Sequence, residues 1–480
     1  MLDVDVVAVS QRVNLISFNL LLHLSAIELG VLNAERDNVS ILHHQSVLRS
    51  RLILHAQSSI TMSSEGKSSL AKLDNSKPEK WQRPPPEHTP EVQHDRKPPL
   101  STIINLYDFE EVAAQTIAKK TFAFYDSAAT DLITKSRNKS TFDRILLRPR
   151  IMRDVRHVST ASKMLGHAVS MPLFISPAAL AGLVHPDGEK AMARACVDEG
   201  IIQCISSNAS FPISDILATM PQTQPWFFQL YVNKDHAKTK ALLRQLMALR
   251  PKMAGIMITV DSAVPGKREA DERMKADESM AAPNSGATAR NDAKGGGLGR
   301  VMGLYIDSGL HWEDLKWIRE EVGPDMPLIL KGIMGAKDAK MASEMGCQGI
   351  VVSNHGGRNL DTAPPSVLVL LEIQKRCPEV FDTMEVFVDG GIRRGTDILK
   401  CLALGATAVG LGRHFLYSLN YGQDGVRHLV GLLRDELETT MRLMGITEIS
   451  QIRRGLVNTA DIDHLVPPLE QDDWSPKSRL

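Results

Sequence analysis

Gly349-Ile350-Val351-Val352-Ser353-Asn354-His355-Gly356-Gly357-Arg358-Asn359-Leu360-Asp361 decides how this chain is read. Its first four residues form an apolar run of strand length. The run passes straight into polar residues. Gly356 and Gly357 then permit a tight turn and a close backbone approach. A potential base, His355, and a permanent cation, Arg358, flank that turn. A base beside an anion clamp, at the end of a buried strand, suits chemistry on a small anionic substrate. The plain alternative is a solvated polar loop, so the rest of the chain has to decide.

Working outward, apolar runs recur at Pro172–Ile175, Ile201–Ile205, Trp226–Tyr231, Gly255–Val260, Leu328–Leu330, Gly349–Val352, Val386–Val388 and Ala408–Leu411. Amphipathic stretches of helical length separate most of them: Glu189–Glu199, His236–Leu249, Asp314–Glu321, Ala336–Met345, Ser366–Lys375 and Gly395–Leu404. Eight strands alternating with helices predict an α/β fold, a (β/α)8 TIM barrel, with a doubly wound open sheet as the alternative. A helix over Phe109–Tyr125 leads in, with ordered structure starting near Thr102. Between the fourth and fifth runs, Glu269–Gly303 breaks the rhythm; a loop of that length is a functional lid or disordered. Its Gly295-Gly296-Gly297-Leu298-Gly299-Arg300 follows no strand and lacks the final glycine of a dinucleotide fingerprint.

The whole chain has 480 residues, 43% hydrophobic and 23% charged, an ordinary globular balance. Lys plus Arg equals Asp plus Glu at 56, so bulk charge favours neither nucleic acid nor an anionic membrane. Cys196, Cys204, Cys347, Cys377 and Cys401 show no CxxC spacing; they read as reduced buried thiols, with no metal site indicated. Val13–Leu32 is leucine-rich, but Asn14, Asn19, His23 and Glu28 interrupt it and Asp3 and Asp5 precede it. It fits neither a membrane span nor a signal peptide, and a mitochondrial presequence is a poor fit. Ser58–Pro99 has a linker's composition. The expected organisation is a flexible extension over 1–100, the barrel over 101–470 and a flexible tail over 471–480.

In such barrels the site lies at the C-terminal strand ends. Following the runs in order, those ends carry Ser176-Pro177-Ala178-Ala179, Ser206-Ser207, Gln229 with Tyr231, Thr259-Val260-Asp261 with Arg268, Lys331, His355 with Arg358, Asp389-Gly390-Gly391-Ile392-Arg393-Arg394, and Gly412-Arg413. Polar residues gathered at one end of the strands indicate one convergent site. The glycines after the last two runs expose N–H groups, Arg393 and Arg413 add charge, and a helix starting near Thr396 points its N-terminus there, which together make a phosphate-binding signature. The alternative is that these glycines only make tight turns. An inward Lys331 needs an anion or a covalent role. Gln229 and Thr259 offer hydrogen bonds to a planar heterocycle, which favours a flavin over a Schiff base.

From about Ile103 to Pro467 the chain resembles the FMN-dependent 2-hydroxy acid oxidase and dehydrogenase family, which includes glycolate oxidase and flavocytochrome-type L-lactate dehydrogenases. The resemblance rests on Ser353–Asp361, Thr259-Val260-Asp261, Gly266-Lys267-Arg268-Glu269, Leu330-Lys331-Gly332 and Asp389–Gly395, in that family's order along the chain. It implies FMN as cofactor and oxidation of an (S)-2-hydroxy acid to a 2-oxo acid. His355 would remove a proton, with Asp261 orienting it and Tyr231 bonding the substrate oxygen. Arg358 and Arg268 would hold the carboxylate, with Phe124 in the same wall. Lys331 would stabilise the reduced ring. Pro177, Ala178, Ala179, Ser206, Gln229 and Thr259 would contact the ring system, and Asp389, Gly391, Arg393, Gly412 and Arg413 the ribityl chain and phosphate.

Four positions depart from that pattern. Phe124-Tyr125 replaces a Tyr-Tyr pair, Ala128 a glycine, Asn359 a glutamine, and Asn208 a bulky apolar residue near the substrate side chain. The His-Pro-Gly-Gly block of flavocytochrome haem domains does not occur in residues 1–100, so a haem domain is not expected and O2 is the default electron acceptor, with a cytochrome or quinone as the alternative. A flavin-binding barrel with impaired turnover is the alternative of a different class. The resemblance also implies a homo-oligomer, a tetramer. Ser478-Arg479-Leu480 is a variant of the Ser-Lys-Leu peroxisomal address, giving a peroxisomal expectation with cytoplasmic or mitochondrial alternatives.

Overall fold

The computed structural model describes residues 96–249 and 253–468. The extension, the linker composition before residue 96 and the terminal Ser478-Arg479-Leu480 lie outside the described residues.

Eight parallel strands close on themselves: β1 Leu173–Ile175, β2 Ile202–Ser206, β3 Trp226–Leu230, β4 Met253–Thr259, β5 Leu328–Ile333, β6 Gly349–Val352, β7 Glu385–Asp389 and β8 Ala408–Leu411. Closure is made by β8 on β1, where Leu411 pairs with Ile175. The (β/α)8 expectation is met, and the open sheet is excluded by that seam. Strand β5 runs past Lys331 to Ile333, so Lys331 lies within a strand and not at its end.

Register explains where the chemistry sits. Side chains on one face of a strand recur every second residue. Phe174, Cys204, Phe227, Met257, Ile329, Val351 and Phe387 form an apolar cluster inside the barrel, together with Ile202, Ala254 and Ala408. Two residues further along each strand stand Ser176, Ser206, Gln229, Thr259, Lys331, Ser353 and Asp389. The same inward row changes from apolar to polar in one step. Phe174, Phe227 and Phe387 meet edge-to-face at centroid distances of 5.7–6.3 Å, filling the floor. A hairpin, Ser162–Met164 with His167–Val169, adds Met164 and Val169 to that cluster. Its turn donates Leu165 N–H to Glu385 Oε1 at 2.8 Å, at the start of β7.

The lead-in departs from the expected single helix over Phe109–Tyr125. It consists of α1 (Leu106–Thr116) and α2 (Lys119–Asp126). Asn105 caps α1, accepting from Tyr107 N and Asp108 N. The break falls at Ile117 and Ala118, whose ψ values of 145° and 132° are extended. It re-aims the second helix so that Phe124 and Tyr125, in its last turn, line the cavity above the strands. A third helix, α3, spans Ile133–Asp143. The insertion Glu269–Gly303 is folded, with a helical turn at Glu269–Glu272, a hairpin pairing Ala281–Ala282 with Ala287–Thr288, and a second turn at Leu298–Val301. All five cysteines are buried and free of disulfides. No described helix is long and apolar enough to cross a membrane.

Candidate active site

A cavity of about 190 Å³ opens over the C-terminal strand ends. Phe124, Pro177, Ala178, Ala179, Ser206, Gln229, Tyr231, Thr259, Arg268, Lys331, His355, Arg358, Asp389, Gly391, Arg393, Gly412 and Arg413 all line it. Of the sequence candidates, Asp261 alone does not; it lies behind His355.

His355 is held from behind. Its Nδ1 lies 3.0 Å from Asp261 Oδ1, and the Tyr231 hydroxyl lies 3.5 Å from Nε2. Burial pushes the imidazole below its ordinary pKa, Asp261 opposes this, and Lys331 and Arg268 add to it. Burial would raise the Asp261 carboxyl, but His355 and Lys331 bring it below the usual value. The ring is therefore neutral at pH 7, with a carboxylate ready to stabilise the imidazolium once a proton arrives. His355 has φ 56°, and Gly356 and Gly357 follow at 64° and 76°. Three successive left-handed residues turn the chain out of β6.

Asn359 ties this group together. Its Nδ2 donates to Asp261 O at 2.8 Å and to Ser262 Oγ at 2.6 Å, while Oδ1 accepts from Arg268 Nη2 at 3.4 Å. Asp361 accepts from the N–H groups of Ile133 and Thr134 at the start of α3. Burial would raise its carboxyl, yet these N–H bonds and the Thr130 hydroxyl lower it to about 2.

The two candidate carboxylate clamps differ. Arg358 donates from Nη1 to Tyr125 O (2.6 Å) and Ser127 O (2.9 Å), and from Nη2 to Phe124 O (3.0 Å). It spends those donors on the last carbonyls of α2, with its guanidinium carbon 5.6 Å from the Phe124 ring centroid. Arg268 donates from Nε to Arg358 O at 3.2 Å. Burial, with Arg268 and Arg413 nearby, pulls Arg358 well below its ordinary pKa. Such a concentration of guanidinium calls for an anion.

Lys331 Nζ donates to Ser353 Oγ at 3.2 Å and lies 3.6 Å from Asp389 Oδ2. Burial lowers its pKa, but Asp389 and Asp261 outweigh that and raise it. The lysine therefore stays charged beneath the cavity. Ser353 Oγ in turn donates to Asp389 Oδ1. Gln229 accepts from Ser206 Oγ at 3.0 Å and donates to Thr259 Oγ1 at 3.0 Å.

At the strand β7–β8 end, Arg413 donates to Gly356 O and Asp126 O, and Arg393 pairs with Glu110 of α1. Glu110 is one of several participants that sequence reading missed. Others are Asn138, which exchanges two amide hydrogen bonds with Asn354, and Lys135, whose ammonium is 2.7 Å from Asp126. Tyr305 is another; its hydroxyl donates to Asn208 Oδ1 at 3.2 Å and its ring stands edge-on to Tyr231. These residues come from α1, α3 and the segment just after the insertion, remote in sequence from the strand ends they complete.

Comparison with known proteins decides the lineage. Residues 113–459 match the model of the FMN-dependent dehydrogenases. The chain belongs to the FMN-dependent dehydrogenase family. It is 40% identical over 384 residues to L-lactate dehydrogenase (cytochrome) of Wickerhamomyces anomalus, covering 79% of this chain and 65% of that one. It is 38% identical over 369 residues to glycolate oxidase 3 of Oryza sativa subsp. indica, covering 75% and 97%. The recombinant flavin-binding domain of baker's yeast flavocytochrome b2 superposes with a TM-score of 0.67 at 37% identity, covering 80% of this chain and 95% of that one. Mandelate oxidase with (S)-4-hydroxymandelic acid gives 0.68 at 34%, covering 74% and 98%.

FMN is the family's cofactor, and the cavity's donors suit it. Buried Arg393 Nε and His414 Nε2 have no hydrogen-bond partner among the described atoms, His414 Nε2 lying 3.9 Å from Glu110 Oε2. Arg393, Arg413 and His414 line the end of the cavity where β7 and β8 terminate, next to the backbone of Gly391 and Gly412. A Cβ at Gly391 would lie 2.1 Å from Asn138 O, so only glycine fits there. A cationic, glycine-walled end and a rim carrying the Gln229 amide and Lys331 match a phosphate and a planar ring.

Proposed function

We propose that the chain oxidises an (S)-2-hydroxy acid to a 2-oxo acid, with electrons passing to O2 to give H2O2. The carrying observation is His355, held through Nδ1 by Asp261 while Nε2 meets Tyr231 in the cavity that Arg268, Arg358 and Lys331 also line. When bound, FMN supplies the two-electron acceptor that the side chains here lack. Arg393, Arg413 and the backbone at Gly391 and Gly412 hold its phosphate end, with Asp389 on the ribityl chain. Pro177, Ala178, Ala179, Ser206, Gln229 and Thr259 would contact its ring system, and Lys331 would supply a positive charge beside it. Arg268 and Arg358 bind the substrate carboxylate. Tyr231 bonds the hydroxyl oxygen as it becomes a carbonyl. His355 Nε2 takes the proton, and Asp261 stabilises the imidazolium. Loss of two electrons and two protons from the hydroxy acid is matched by their uptake into H2O2.

Transfer to a cytochrome or quinone is the second reading, supported by the 40% identity to an L-lactate dehydrogenase (cytochrome). Asn208, whose Oδ1 accepts from the Tyr305 hydroxyl, puts a polar side chain in the cavity wall, which favours substrates with a hydrogen-bonding side chain. We place the catalytic unit at residues 101–470, working as a tetramer. Ser478-Arg479-Leu480 supports a peroxisomal address; a fluorescent fusion lacking those three residues should be cytosolic, and unchanged puncta would reject the address.

The central test mixes the purified yellow protein anaerobically with a panel of 2-hydroxy acids. Bleaching followed by stoichiometric H2O2 on admitting air is the expected result. Bleaching without peroxide would move the function to a dehydrogenase. No bleaching with any acid would leave a flavin-binding barrel.

A further inference from the structure

The glycine run Gly295–Gly299 lacks a nucleotide role, yet it is closely packed. A Cβ at Gly295 would lie 2.1 Å from Glu272 O, and one at Gly296 2.3 Å from Met274 O. One at Gly299 would lie 2.3 Å from Nη1 of Arg268. The first two meet backbone. The third meets the far end of a flexible side chain, so added bulk there moves the guanidinium and leaves the fold in place.

The run is anchored from two sides. Gly299 N–H donates to Asp271 Oδ2 at 2.9 Å. Lys120 of α2 donates to Asp271 O (2.6 Å), Asp271 Oδ1 and Gly296 O (2.8 Å). Asp271 is 1% exposed and Lys120 13%, so this pair is shielded from solvent and salt. The opposite end of α2 presents the carbonyls that hold Arg358. One short helix thus touches both guanidiniums, Arg358 directly and Arg268 through Lys120, Asp271 and Gly299.

We infer that Gly299 and Lys120 are positioning residues that set the Arg268 guanidinium for the substrate carboxylate, making the folded insertion part of the substrate-binding apparatus. This rests on the reading of Arg268 as a carboxylate clamp. Displacing one charged donor from its anion corresponds to about tenfold or more in affinity.

The test uses the full-length FMN-bound protein and oxalate as probe, with affinity measured by calorimetry so that turnover is not required. Gly299→Ala should weaken oxalate about tenfold or more, and Lys120→Met by a smaller factor, with Lys120→Arg restoring binding. FMN content and Tm should be unchanged in Gly299→Ala. In turnover, KM should rise while kcat stays within about threefold. Equal oxalate affinity in wild type and Gly299→Ala would overturn the proposal, as would a parallel loss of FMN or Tm in Gly299→Ala. A wild type that binds oxalate but never bleaches with hydroxy acids would instead overturn the oxidase reading and leave this one standing.

Discussion

The floor and the rim of this barrel are built from the same strands, two residues apart. Phe227 and Gln229 are successive inward residues of β3, as Phe387 and Asp389 are of β7. The floor is apolar, filled by aromatic rings and backed by a hairpin. The rim is a hydrogen-bonded set running from Ser206 through Gln229 to Thr259, and from Lys331 through Ser353 to Asp389. Stability and chemistry are thus separated by one step of the strand repeat, and the rim's buried charges are tolerated because each has a partner.

That division can be broken in order of expected effect. Replacing the rim base, His355→Asn, should slow flavin reduction by roughly 10²–10⁴-fold while FMN stays bound, as stopped-flow absorbance would report. A rate within tenfold of wild type would remove His355 from the chemistry. Truncating the floor, Phe227→Ala, should cost about 3–5 kcal/mol in denaturant unfolding, with the reduction rate of the surviving holoenzyme little changed. A rate loss matching the stability loss would show that the two layers are not separate.

The pH profile sharpens the comparison. Accepting a proton requires neutral His355, and burial holds its pKa below the ordinary 6.5. The reduction rate should therefore stay level as pH falls through 6.5 and drop only at lower pH. The same depressed pKa makes its stability contribution present above 6.5 and lost as pH falls towards the folded value. Asp261→Asn removes the carboxylate that raises the imidazole, so the acid limb should move to still lower pH and the plateau should fall. A limb moving upward would contradict the pairing. The smallest effect belongs to the wall, where Phe124→Tyr adds a hydroxyl beside Arg358 and should lower KM by a few-fold, worth roughly 0.5–1.5 kcal/mol.

Most of the architecture was legible because buried parallel strands leave uninterrupted apolar runs, and the rim because polar residues directly follow them. The break at Ile117 and Ala118 was not, since neither glycine nor proline marks it. Arg358 could be named from sequence but its present partners could not: they are carbonyls, which every residue carries. Glu110, Asn138 and Tyr305 were missed because only tertiary packing brings them to the strand ends. The insertion's length left it as either a lid or a disordered loop, yet it is folded, and Gly295 and Gly296 are there for close backbone contact.

The left-handed backbone at residue 355 narrows the amino acids that can stand there. A φ of 56° is tolerated by Gly, Asn, Asp and His far better than by branched or bulky side chains. Of that short set only His combines a neutral acceptor nitrogen with a pKa near neutrality. Conformation and proton transfer therefore select the same residue, and drift at this position has almost nowhere to go that preserves both.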